Sequence, residues 1–130
     1  MYSEPIITRE DSKTTYKIKN RIRTVSKIER YDFEMKNFDY SLLANAKTRI
    51  LHRRKGLMSS LVNAAYEDVI ENTKNKGVYL LVLMWEYKNI VLYESLGFEF
   101  IKYCSVSGNP YVLLAKGYID KSQLCAVNFK

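Results

Sequence analysis

The sequence is poor in proline, cysteine and long apolar runs, and each shortage excludes a class of protein. Its 130 residues include 2 prolines and 2 cysteines, which excludes proline-rich linkers and a disulfide framework. The longest apolar run, residues 78–84, is far shorter than the roughly 20 residues that span a bilayer. The first residues do not show the pattern of a signal peptide, in which basic residues precede an apolar segment. We therefore expect one cytoplasmic domain over residues 1–130, with no membrane partner and no metal site.

The sequence does carry an excess of positive charge, and all of that excess lies in its first half. Residues 1–56 contain 14 Lys and Arg against 7 Asp and Glu, whereas residues 57–130 contain 7 of each. Such a field attracts an anionic partner, and both a polyphosphate cofactor and nucleic acid fit that description. A candidate surface for nucleic-acid phosphates, otherwise a solvated helix face, consists of Lys13, Lys17, Lys19, Arg21, Arg23, Lys27 and Arg30.

Residues 12–28 allow two interpretations, a helix or strands. Apolar side chains recur at helical spacing in this stretch, and Ser12 can cap the start of a helix. Those apolar residues are Ile18, Ile22, Val25 and Ile28. Many residues of the stretch are β-branched, however, which favours strands. We favour the helix, and we place a short strand before it at residues 5–9.

The rest of the chain alternates strands with two helices. Residues 28–35 and 40–51 read as strands on either side of a turn. A helix begins at Leu57, with an apolar face at four-residue steps, and ends with Gly77 just past its C-cap. The later elements are a buried strand at 78–84, a helix at 89–96, and strands at 98–106 and 111–115. This order predicts an α/β (α+β) fold whose mixed sheet contains a right-handed parallel crossover through the first helix.

A basic loop with one glycine lies where a strand gives way to that helix. Its sequence is Arg53-Arg54-Lys55-Gly56. The first N–H groups of a helix have no partner within the helix, and the helix dipole is positive there, so a pyrophosphate meets several donors at once. Gly56 lets the backbone approach the phosphates closely. The spacing excludes a Walker loop and a dinucleotide fingerprint, because the further glycines of both motifs are missing.

Two motifs resemble those of the GNAT N-acetyltransferase superfamily. Residues 53–58, Arg-Arg-Lys-Gly-Leu-Met, resemble its Arg/Gln-x-x-Gly-x-Gly/Ala loop. Residues 92–98, Leu-Tyr-Glu-Ser-Leu-Gly-Phe, are similar to its second signature, Leu-Tyr-x-x-x-Gly-Phe. The resemblance covers residues 40–115 and implies an acetyl-CoA-binding core there. It also implies a mixed, mostly antiparallel sheet with a central parallel crossover and helices on both faces.

The resemblance implies a role for each matching residue. The backbone of the loop would bind the pyrophosphate of acetyl-CoA, and the pantetheine arm would lie in a splay between the strands at 40–51 and 78–84. Tyr93 would protonate the departing CoA thiolate, since its ordinary pKa is similar to that of a thiolate. Glu86 and His52 are the candidate bases; the alternatives are a solvated carboxylate for Glu86 and a packing or phosphate-contact role for His52. The implied cofactor-binding residues are Ile50, Leu51, Arg53, Arg54, Lys55, Gly56, Leu57, Met58, Asn89 and Tyr93.

Residues 1–39 are short for this superfamily, which implies that a helix or a strand is missing from the acceptor side. A second copy in a homodimer would be one way to complete the acceptor wall. The leading hypothesis is acetyl-CoA-dependent N-acetylation of a primary amine by direct transfer, with a protein or a small molecule as acceptor. The alternative is a non-catalytic module of the same fold that binds CoA, or nucleic acid through its basic half.

Overall fold

The computed structural model describes residues 1–128, which form one seven-stranded sheet and three helices. The strands are β1 (Ile6–Arg9), β2 (Thr14–Lys19), β3 (Thr24–Tyr31), β4 (Tyr40–Thr48), β5 (Gly77–Leu83), β6 (Glu99–Val106) and β7 (Asn109–Gly117). The helices are α1 (Leu57–Asn72), α2 (Tyr87–Ser95) and α3 (Lys121–Cys125), with a 3₁₀ turn at Ile50–His52. The sheet order is β1-β2-β3-β4-β5-β7-β6. Among the described helices, none combines the length and the apolar character needed to cross a membrane.

The sheet is antiparallel except at its centre, where β4 and β5 run parallel. The helix α1 connects these two strands, so the predicted parallel crossover is confirmed. The apolar face of α1 is buried at each predicted position, because its side chains recur every four residues and meet the sheet. Those side chains are Leu57, Leu61, Ala65 and Val69.

Gly77 does not lie past the C-cap of α1, so that prediction was wrong. The helix ends at Asn72, and the hydroxyl of Thr73 donates to the carbonyl of Val69 at 2.7 Å. Gly77 instead begins β5, where a Cβ atom would lie 2.1 Å from the carbonyl oxygen of Lys116. Glycine is needed here because two strands approach each other closely.

The helix expected over residues 12–28 was also wrong, because the β-branched residues form the strands β2 and β3. The side chain of Asn20 makes the turn between them, since its oxygen accepts from the backbone N–H groups of Ile22 and Arg23. Ile22 is therefore 80% exposed in this turn. The strand predicted at 28–35 is shifted, since β3 spans Thr24–Tyr31, and the strand predicted at 40–51 is shorter, since β4 ends at Thr48.

The short N-terminal part lacks helices rather than strands. A tight turn, in which the N–H of Glu10 donates to the carbonyl of Lys13, joins β1 directly to β2 as antiparallel neighbours. Residues 1–39 thus supply three strands and no helix. The face of the N-terminal strands opposite α1 consequently has no helix from this segment to cover it.

Two apolar clusters lie on opposite faces of the sheet, which confirms helices on both faces. The larger cluster joins α1 and α2 to the sheet, and it includes Tyr93 and Phe98. The smaller cluster contains Leu124 of α3, which is fully buried. α3 was not predicted from the sequence, although Asp120 is a typical N-cap residue and accepts from the N–H groups of the first turn.

Candidate functional site

The parallel strands β4 and β5 separate after a short stretch of pairing. Their register joins residues 40–42 with residues 77–79. Both strands then continue, to Thr48 and Leu83, without further pairing to each other. The unpaired stretches present backbone N–H and C=O groups toward the opening between them. This wedge-shaped opening, which we call the splay, can hold an extended ligand between the two strands.

A β-bulge in β4 lies along the splay. Lys27 of β3 pairs with Lys47 of β4, whereas Glu29 pairs with Ala44, so two residues of β4 oppose one of β3. Asn45 takes the left-handed conformation at φ 56°. Bulges re-aim backbone and side chains and are frequent next to active sites. The bulge therefore gives β4 a distinct backbone geometry where a ligand in the splay would pass.

Glu29 fixes this bulge. Its carboxylate accepts from Lys13 at 2.8 Å, from the side-chain amide of Asn45 at 2.6 Å, and from Tyr31 at 3.0 Å. The hydrogen bonds from Lys13 and Asn45 lower the pKa of Glu29 to about 2. A carboxylate with such a pKa stays ionised and is a poor proton acceptor at neutral pH. Glu29 is thus a positioning residue for β4.

The loop from β4 to α1 offers a row of free backbone donors. Arg54 and Gly56 both have left-handed conformations, at φ 63° and 73°, and no side chain caps α1. Within residues 1–128, no protein acceptor receives the N–H groups of residues 54–59. A Cβ atom added to Gly56 would have no protein atom within 4 Å. This row of donors at the positive end of a helix suits an anion.

The predicted residues of the loop take different places. Arg53 folds back on β4, where its Nε donates to the carbonyl of Thr48 at 3.1 Å, while Arg54 and Lys55 are exposed. The side chain of Leu57 is buried in the core, and Met58 packs against the same cluster. Leu57 and Met58 can therefore contribute backbone N–H groups rather than side chains to an anion.

Exposed apolar side chains flank the mouth of the splay. Ile50 and Leu51, which follow β4, are 75% and 85% exposed, and Met84 and Trp85, which follow β5, are 39% and 57% exposed. Because β4 and β5 are parallel, these pairs lie at the same edge of the sheet. Ile50 and Leu51 were predicted to bind the cofactor, whereas Met84 and Trp85 were not named as candidates. Their exposure is unusual for large apolar residues, and only the strand boundary at Leu83 could have indicated it.

Tyr93 lies on α2 with its ring in the larger core. Its ring meets that of Phe98 edge-on, with centroids 5.6 Å apart. Burial, aided by the charge of Glu86, raises the pKa of Tyr93. Among residues 1–128 no fully enclosed side-chain N or O atom lacks a hydrogen bond, and the hydroxyl of Tyr93 has no protein partner, so this hydroxyl is open to solvent or a ligand. Tyr93 thus keeps its proton at neutral pH.

The other predicted residues are held by local contacts. Glu86 precedes α2 and accepts from the side-chain amide of Asn89 at 2.9 Å. Glu86 is close enough to Tyr93 for its charge to act on the pKa of that hydroxyl. His52 lies elsewhere, since its Nδ1 is hydrogen-bonded to the hydroxyl of Tyr2 at 2.7 Å. Within the described chain, no hydrogen bond joins His52 to Tyr93 or Glu86.

A splayed parallel pair, whose two strands are joined by a glycine-bearing loop and a helix, defines the GNAT class of acetyltransferase folds. The family described as FR47-like protein matches residues 29–106, more than half of the chain. The chain therefore belongs to the FR47-like family of the GNAT superfamily, which confirms the resemblance read from the two motifs.

Solved structures agree with this fold. Arabidopsis thaliana NAA60 in complex with acetyl-CoA gives a TM-score of 0.73 at 12% identity, over 84% of this chain and 78% of that chain. The ribosomal-protein-S18-alanine N-acetyltransferase from Escherichia coli gives 0.67 at 17% identity, over 84% and 71%. A GNAT family acetyltransferase from Elizabethkingia anophelis with acetyl-CoA bound gives 0.67 at 14%, over 82% and 76%. At these low identities, the similarity shows the fold alone. No curated protein matches the sequence.

Proposed function

We propose that this chain is an acetyl-CoA-dependent N-acetyltransferase that transfers an acetyl group directly to a primary amine. The observation that carries the proposal is the row of free N–H groups over residues 54–59, next to the splay. The row of N–H groups can hold an anion, and the adjoining splay can hold an extended chain attached to that anion. Membership in the FR47-like family supports acetyl-CoA as that ligand.

The residues present fit acetyl-CoA. The donors of residues 54–59 would hold the pyrophosphate, and the open space at Gly56 leaves room for it. The splay would take the pantetheine arm, with unpaired backbone groups of β4 and β5 along its sides. The exposed apolar residues at the mouth, Leu51 and Trp85 among them, would cover the methylene groups of that arm.

The reaction balances without a cofactor beyond acetyl-CoA. The nitrogen of a neutral amine forms a bond to the acetyl carbon, the carbon–sulfur bond breaks, and the sulfur leaves as a thiolate. The hydroxyl of Tyr93 donates a proton to that sulfur, the amine loses one proton to solvent, and the tyrosinate regains a proton from solvent. An N–H of the bulged part of β4 would polarise the acetyl oxygen. Most of the rate would come from holding amine and thioester together.

The cofactor is tested by calorimetric titration with acetyl-CoA. We expect saturable binding that is at least about tenfold weaker in the Arg53→Ala/Arg54→Ala variant, because charge-assisted contacts to phosphate are lost. The matched control is Arg21→Ala/Arg23→Ala, which removes the same charge from the exposed turn between β2 and β3 and should leave the affinity unchanged. Equal losses in both variants would show a general charge effect and contradict the assignment of the loop.

The enzymatic role is tested by CoA release with a panel of primary amines. Tight binding of acetyl-CoA without turnover of any amine would favour a non-catalytic module. Retention of nucleic acid that the Arg21→Ala/Arg23→Ala variant loses would favour the nucleic-acid alternative. Turnover that falls in Tyr93→Phe, with unchanged affinity for acetyl-CoA, is the result expected of an acetyltransferase.

A further inference from the structure

A row of three lysines crosses the sheet on the face opposite α1. Lys17 of β2 lies directly opposite Lys27 of β3, and Lys27 lies directly opposite Lys47 of β4. Side chains alternate along a strand, and the neighbours of Lys17, Tyr16 and Ile18, are buried on the α1 side. The three lysines therefore share the uncovered face.

The lysine row shares its groove with Glu10 and Glu29, but within residues 1–128 it forms an ion pair with neither of them, nor with any other carboxylate. The nearest buried carboxylate along β3, Glu29, is already engaged by Lys13 and two further donors. Like charges directly opposite each other destabilise a sheet. The fold thus maintains a repulsive arrangement that a bound anion would relieve.

The row lies in a groove with room for a small ligand. The groove has a volume of about 520 Å³ and runs from Thr8 on β1 to Arg49 at the end of β4. The guanidinium of Arg49 is held at the rim, since its Nε donates to the carbonyl of Thr24 at 3.0 Å. Lys47, which lines the groove, lies on β4 two residues after the bulge residue Asn45.

We propose that this groove is the acceptor subsite and that the acceptor is a small primary amine carrying a phosphate group. The proposal rests on the acetyltransferase function, because it requires the amine to reach the bulge of β4. Neighbouring strands lie roughly 5 Å apart, so Lys27 and Lys17 are roughly 5 and 10 Å from β4. The phosphate would therefore lie roughly that far from the reactive nitrogen.

The spacing of the row favours one phosphate over the carboxylates of an acidic peptide. Side chains on one face of an extended peptide repeat every two residues, roughly 7 Å apart. The lysines of the row follow the narrower spacing between strands, and their flexible stems let three ammonium groups converge on one multivalent anion.

Two of the basic residues predicted to contact nucleic acid, Lys13 and Arg30, are occupied by ion pairs instead.

Kinetics with matched acceptors tests the proposal. The probes are ω-aminoalkyl phosphates of three to six methylene groups and the corresponding amino alcohols, at saturating acetyl-CoA. We expect a KM at least about tenfold lower for the phosphates. Lys27→Gln should remove most of this preference, while Lys74→Gln, which removes the same charge from an exposed site after α1, should keep it. Equal KM values for both probe series, or a lower KM for peptides with acidic second and third residues, would overturn the proposal.

A second measurement does not depend on catalysis. Propyl phosphate, which has no amine, should raise the Tm of the wild type by binding the folded state. The rise should persist in Arg54→Gln and disappear in Lys27→Gln; the opposite pattern would assign the anion to the α1 loop and overturn the proposal. Lys27→Gln should itself fold with an equal or higher Tm, because it relieves repulsion. If acetyl-CoA failed to bind, the proposed function would fall, while the Tm measurement would still decide whether the groove binds phosphate.

Discussion

Replacement of Gly56 by alanine separates the structural role of the α1 loop from its role in binding. Gly56 has φ 73°, and its new Cβ atom would meet no protein atom within 4 Å. The cost to the fold is therefore backbone strain alone, about 1–2 kcal/mol for a left-handed alanine. The Cβ atom would, however, occupy the space where the pyrophosphate meets the free N–H groups. Loss of one charge-assisted hydrogen bond costs about 2 kcal/mol, which is roughly 30-fold in Kd.

Gly108→Ala provides the matched control. Gly108 also has a left-handed conformation, at φ 82°, and open space around its Cβ position, but β5 separates its hairpin from β4. Both variants should lose a similar amount of stability, measured by urea denaturation. Calorimetry should show weaker acetyl-CoA binding in Gly56→Ala only. Unchanged affinity in Gly56→Ala, or an equal loss in Gly108→Ala, would refute the placement of the pyrophosphate on this loop.

Three further predictions rest on Tyr93, on the buried ion pair of Arg30 with Asp68, and on Glu29. Tyr93→Phe should lower kcat about 100-fold without changing the Kd for acetyl-CoA, because the lost proton donor acts on the leaving sulfur. Asp68→Asn should destabilise the fold by about 3 kcal/mol in urea denaturation, since the buried guanidinium of Arg30 loses its charged partner Asp68 at 2.9 Å and keeps only the half-exposed Asp32. Glu29 has its pKa lowered on folding from 4.5 to about 2, so its contribution to stability is complete above pH 4.5 and is lost as the pH falls toward 2. Glu29→Gln should flatten the acid limb of the stability curve, whereas an unchanged limb would contradict this role.

The crossover was predictable because its signals are local and agree with one another. The four-residue repeat from Leu57, the apolar run of β5 and the left-handed Gly97 before β6 each point to the same order of elements. The N-terminal strands were mistaken for a helix because apolar residues such as Ile18 and Ile22 happen to fall at helical spacing. Pairing of β2 with both β1 and β3 decides the outcome, and a single sequence does not display such pairing.

Some parts of the candidate site could be predicted from the sequence and others could not, as was the case for the fold. The loop at Gly56 and the helix carrying Tyr93 follow from short motifs, so both were predictable from the sequence. The splay could be inferred only through the family resemblance, because it depends on where pairing between β4 and β5 stops. The bulge at Asn45, the anchoring Glu29 and the cross-strand lysines all require knowledge of register. A shift of one residue would move each of them to the other face of the sheet.

The central claim is that acetyl-CoA binds along the splay and against the start of α1. Backbone amide chemical shifts, followed during titration with acetyl-CoA, test this most directly. We predict the largest changes for residues 54–59, with downfield shifts as their free N–H groups gain phosphate acceptors, and smaller changes for residues 43–48 of β4, which do not pair with β5. Changes confined to the lysine groove around Lys27, or no saturable change at all, would contradict the account.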